Sequence, residues 1–233
     1  SGPLLRAICS LGVSPVLNQM AMFLVQITLN NTLTYYGALS HYGEDIPLAC
    51  VGVISKVNIL MLGFTLGISQ GCQPIFSYNY GARQYSRVRE AYRKAIVAAS
   101  IICCIAFVCF QLFPRPIVAL FDPSGSEEYF QFAERYFRIY MFMTLANAFQ
   151  PITANFFTSI GKAKRGALIA LTRQVIFLIP LILIFPLFLG IDGVMYAGPI
   201  ADSAAVVVAL ALVTREMKRM PHVDEPVAAD TLV

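Results

Sequence analysis

Charge is what this sequence has least of. Of its 233 residues only 13% are Asp, Glu, Lys or Arg, while 58% are hydrophobic. Soluble domains carry about a quarter charged residues, so the composition points to lipid, and the mean hydropathy of +0.68 agrees. Histidine is almost missing. His41 and His222 stand far apart and flank apolar runs, which argues against a His-based catalytic or metal site. Cys9, Cys50, Cys72, Cys103, Cys104 and Cys109 include no CxxC pair and no metal spacing. They read as small hydrophobes inside apolar runs. No phosphate-binding GxxxxGK[ST] motif occurs, so any transport by this chain would be driven by an ion gradient, not by ATP that it hydrolyses. The net charge of +4 resides in short loops without aromatic interleaving, which is not a nucleic-acid pattern.

What is present is a series of long apolar runs. At about 20 residues per span, hydropathy predicts an all-α, polytopic membrane protein with six transmembrane helices. The predicted spans run over about 11–36, 48–77, 95–113, 137–158, 167–189 and 194–213. Basic residues alternate between connections. Arg83, Arg87, Arg89, Arg93 and Lys94 follow the second span; Lys162, Lys164 and Arg165 follow the fourth; Arg215, Lys218 and Arg219 follow the sixth. The intervening connections are poor in Lys and Arg. By the positive-inside rule both ends are expected in the cytoplasm. Residues 83–94 are expected to form a separate amphipathic helix at the headgroups, and 221–233 a disordered cytoplasmic tail. The chain opens Ser1-Gly2-Pro3, with no initiator Met and no signal-peptide pattern. It is expected to be a piece of something longer.

Polar groups inside these runs are the functional candidates, although many such groups only glue helices together. Gly63, Gly67 and Gly71 recur every fourth residue, with Pro74 one turn beyond. That seam is expected to let another helix backbone approach closely. Asp202 is the one acidic residue deep in a span, roughly 13 Å from its outer end at 1.5 Å per residue. Lys56 lies at about the same depth on the second span. If those spans are neighbours the two would pair, either as a structural ion pair or as a proton or cation site. Arg173 is placed to snorkel to the inner headgroups, whereas Gln174 stays in the membrane. Pro15, Pro74, Pro151, Pro180, Pro186 and Pro199 interrupt most spans and permit the bends that a carrier uses.

Gly67-Ile68-Ser69-Gln70-Gly71-Cys72-Gln73-Pro74-Ile75, then Tyr78-Asn79-Tyr80-Gly81-Ala82, resembles the GxxQGxQPxxxxxxGA pattern of the multidrug and toxic compound extrusion (MATE) transporters. Asn30-Asn31, Gly161-Lys162, Arg173-Gln174 before Pro180, and Gly198 through Asp202 add agreement in order. The resemblance covers about residues 11–220 and matches the C-terminal six-helix lobe of a twelve-helix, pseudo-twofold fold. It implies one lobe of an antiporter in a bacterial inner membrane, exporting organic cations and other drugs in exchange for H+ or Na+, with no other cofactor. The implied partner is the other six-helix lobe or a second copy of this chain. Within that reading the substrate face is expected at Gln26, Asn30, Gln70, Gln73, Asn147 and Gln150. One departure matters. Some members carry a coupling Glu on the first helix of this lobe and an Asp on the fourth. Here the first span has no acid, and the fourth has only Glu134 near its outer end. Coupling then falls either to the other lobe or to Asp202. A lipid-linked oligosaccharide flippase of similar architecture is the alternative; it would favour a more cationic cavity. A membrane-embedded enzyme would need an acid, base or metal cluster that the spans lack.

Overall fold

The computed structural model describes residues 2–121, 123, 125–221 and 224. All regular structure among them is helical: α1 (Gly2–Ala38), α2 (Asp45–Gly81), α3 (Tyr85–Leu112), α4 (Pro114–Ala119), α5 (Glu127–Tyr140), α6 (Ala146–Ser159), α7 (Ala163–Leu171), α8 (Ile179–Leu189) and α9 (Ile191–Arg219). A 3-10 turn, Met141–Met143, precedes α6, and a π-helical segment, Thr172–Leu178, joins α7 to α8. Four stretches among the described residues are long and apolar enough to cross a membrane: Asp45–Gly81, Tyr85–Leu112, Ala163–Leu189 and Ile191–Arg219.

Local chemistry sets the ends and the breaks. The Ser126 side chain accepts from the Tyr129 backbone N–H at 3.2 Å and caps α5, with Glu127 and Glu128 in its first turn. The fourth predicted span is not continuous. The Thr144 hydroxyl donates to the Met141 carbonyl at 2.5 Å, and this local bond competes with the helical ladder. The chain therefore turns through 141–145 between α5 and α6. Pro180 has no N–H for the Ile176 carbonyl, and the backbone widens into the π segment just before it. The basic stretch 83–94 is not a separate surface helix: from Tyr85 onward it is the first third of α3. Apart from Pro221 and Asp224, the expected tail at 221–233 lies outside the described residues.

Within this chain, close helix approach occurs at glycines other than those of the predicted seam. A Cβ added at Gly166 would sit 2.5 Å from the Ala154 carbonyl oxygen of α6, and one at Gly193 would sit 2.5 Å from the Phe185 backbone of α8. Only glycine permits those approaches. Gly63, Gly67 and Gly71 have nothing within 4 Å of such a Cβ, and Pro74 beside them is exposed. The reason is rotational. Helix α2 packs on α3, α5 and α6 through Met61, Thr65, Ser69 and Phe76, on its opposite side.

The core is aromatic where α2, α3 and α6 meet. The Phe76 and Phe156 rings lie edge to face, 5.3 Å apart, a favoured geometry. Polar side chains stitch the same helices. Ser69 donates to the Pro151 carbonyl at 3.3 Å, Asn155 to the Ser69 carbonyl at 2.9 Å, and Tyr92 and Thr153 share a bond of 2.8 Å. The basic connections gather on one face. Arg89 reaches the Met220 and Pro221 carbonyls, each at 2.8 Å, and Lys162 and Arg165 both bond Glu216.

Candidate functional site

A cleft lies between α1, α2, the π segment, α8 and α9. Its walls are Met22, Val25 and Gln26 of α1 and Ser55, Asn58 and Ile59 of α2; its floor carries Tyr140, Arg173 and Gln174. The cleft holds about 130 Å³. A water occupies about 30 Å³ and a drug-sized ligand needs at least about 300 Å³. An ion with a few waters fits this space.

Arg173, which lines the cleft, donates from Nε to Asp202 Oδ1 at 2.5 Å; Asp202 lies behind it, outside the lining, and the two side chains are 13% and 11% exposed. Two opposite charges taken out of water need each other, because either one alone would be left uncompensated at several kcal/mol. This overturns two sequence expectations. Asp202 does not pair with Lys56, and Arg173 does not snorkel away. Lys56 lies on the exposed face of α2, in register with Gly63, Gly67 and Pro74, so it points away from α9. Arg173 lies on the π segment, where the wider turn changes the direction of each side chain relative to a regular helix. That local break is what counting along an ideal helix misses.

Gln174 is 8% exposed, and no hydrogen-bond partner meets its amide among the described residues. Beside it the Tyr140 ring packs against Gly198, where a Cβ would come within 2.7 Å of the ring. Pi-helical turns are frequent at functional sites, and here one places a cation and an amide at the end of a cleft.

The six expected substrate residues divide. Gln26 is on the cleft wall and donates to Asn30 Oδ1 at 2.9 Å. Asn30, Gln70 and Gln73 are exposed on α1 and α2 and do not line the cleft. Gln150 is half-buried and donates to the Ile169 carbonyl at 3.5 Å, tying α6 to α7. The side chain of Asn147 lies outside the described residues. Ser55, Asn58 and Tyr140 were not anticipated.

A family model for MatE matches residues 19–184. The chain belongs to the MatE family. Among solved structures, its fold resembles an inward-facing MATE multidrug resistance transporter with a TM-score of 0.84 at 20% identity, over 94% of this chain and 49% of that one. An outward-facing structure of the same description gives 0.83 at 20% identity, over 94% and 48%. Among curated relatives, multidrug export protein MepA of Staphylococcus aureus is 22% identical over 212 residues, or 90% of this chain and 44% of MepA. The chain therefore spans about half the length of the relatives it matches, as one half of the twelve-helix MATE fold.

Proposed function

We propose that this MatE chain forms the C-terminal lobe of a secondary antiporter that exports drugs or organic cations in exchange for H+ or Na+. The C-terminal assignment rests on the GxxQGxQP-like stretch from Gly67. The six predicted spans, with both ends on the cytoplasmic side of a bacterial inner membrane, belong to this reading. The observation that carries it is the buried Arg173–Asp202 pair, whose arginine lines a cleft of about 130 Å³. A proton or Na+ arriving at Asp202 would neutralise the carboxylate and release Arg173, so occupancy would change what holds α9 to the π segment. Losing one charge of a buried pair is costly, so neutralisation of Asp202 would oblige Arg173 to move to another partner or to water.

Cargo binds elsewhere in this account. Asn30, Gln70 and Gln73, exposed on α1 and α2 outside the cleft, would face the space where a second lobe closes a larger cavity, with Gln26 at the cleft edge. Their amides orient a ligand without fixing its charge. The experiment is ethidium efflux from cells lacking their own exporters, with this chain expressed alone or with its native upstream sequence. Efflux only with the upstream sequence is expected. Efflux by the chain alone would replace the lobe reading with a dimer of half-transporters. No efflux from either strain despite correct insertion would reject the drug-export reading.

A further inference from the structure

A groove between α2 and α3 runs along the face that carries the basic connections. One stripe of each helix forms it: Ile68, Cys72, Ile75 and Asn79 of α2, and Arg87, Glu90, Lys94 and Ala98 among those of α3. It holds about 510 Å³. Its polarity is graded along its length. Asn79 and Arg87 lie where the two helices join, Glu90 and Lys94 come one to two turns deeper, and Ile68 and Ala98 close the apolar end. From residue 79 to residue 68 is about 16 Å of helix, which is about one leaflet of a 30 Å hydrocarbon core. Two cations and one carboxylate line it, leaving one net positive charge. Lys94 pairs with Glu90 at 2.6 Å, but both are well exposed, so that pair is easily exchanged. Among the described residues no ion pair engages Arg87.

We infer that this groove binds an anionic phospholipid of the leaflet facing the basic connections, with its phosphate at Arg87 and Lys94 and one acyl chain along Ile75, Cys72 and Ile68. The order of polar and apolar groups along the groove is the order along a phospholipid. The single excess positive charge matches a singly charged headgroup such as phosphatidylglycerol. Small side chains at Cys72 and Ala98 keep the deep end open. The site stands apart from the export reading and is measured without transport.

The sequence has no tryptophan, so Ile75→Trp, at an exposed position, creates a single reporter in the groove. The chain with this change is reconstituted in phosphatidylcholine vesicles, and quenching is compared for brominated phosphatidylglycerol and brominated phosphatidylcholine. About fivefold preference for phosphatidylglycerol is expected, since one basic side chain near a membrane surface contributes about 1 kcal/mol. Arg87→Gln should remove most of it, and Ala98→Phe should weaken it by filling the deep end. Equal quenching by the two lipids overturns the site. So does a preference unchanged in Ala98→Phe, which would reduce it to diffuse attraction by the whole basic face. Displacement by millimolar glycerophosphate would make it a free-phosphate site and overturn the lipid assignment.

Discussion

Helix α9 carries two buried carboxylates, and they are held differently. Glu216, near its end, is 2% exposed and bonded by both Lys162 and Arg165, which are themselves about a third exposed. Asp202, near its middle, has a single cation, Arg173, as buried as itself. Glu216 sits between two cations that water can reach, so its charge is over-compensated and its partners survive its loss. Asp202 and Arg173 depend on each other, and the space beside them is a cleft with an amide to spare. The first arrangement is a clamp joining the end of α9 to the start of α7. The second is a pair in which loss of either charge leaves the other buried and uncompensated.

The largest effect is expected at the mid-helix pair. Asp202→Asn leaves Arg173 buried without a counter-charge and should lower stability in detergent by about 3–5 kcal/mol. Replacing both Arg173 and Asp202 by Leu should restore most of that loss in thermal unfolding, because an apolar pair removes the buried charges altogether. Restored stability without restored export separates a functional pair from a structural one. Glu216→Gln should cost less, about 1 kcal/mol, since Lys162 and Arg165 regain water. Efflux per folded molecule should be unchanged; a large loss would erase the distinction between the two acids.

Gln174→Leu sharpens the role of the cleft. Removing a buried amide without a bonding partner should leave stability unchanged or slightly raised, while the apparent affinity for the coupling ion, read from the cation dependence of efflux, falls. Equal ion dependence in the variant would mean that the cleft floor does not meet the ion. The smallest effect belongs to a third acid, Glu127, exposed on the opposite side of the lobe and bonded to Arg115 at 2.6 Å. Arg115 holds the Glu127 carboxyl below its usual range. Stability from this pair is present at neutral pH and is lost only as pH falls through that lowered value. Water screens the pair, and Arg115→Gln should give no measurable change in Tm at pH 7.

The long apolar helices were legible because apolar runs are a local signal, whereas the break at 141–145 was not. The MATE resemblance followed from a contiguous stretch around Gly67–Pro74. Rotation about the helix axis was not legible. The Gly63–Gly67–Gly71 seam looked like a packing surface, yet α2 packs through the face opposite, and Gly166 and Gly193 make the close approaches. Depth counted along the helices placed Asp202 level with Lys56, but depth is one coordinate of three. Their directions differ, and the π segment before Pro180 turned Arg173 inward instead. Likewise Gln150 looked like a ligand group, and it spends its amide on the Ile169 carbonyl of the neighbouring helix.

The most direct test of Asp202 as the coupling site is a comparison in proteoliposomes containing the chain with its upstream half. Substrate movement driven by an imposed H+ or Na+ gradient is measured beside downhill substrate movement without one. Asp202→Asn is predicted to abolish the gradient-driven component and retain the downhill one. Gradient-driven export at the unsubstituted rate in that variant would contradict the account and move the coupling acid outside this lobe.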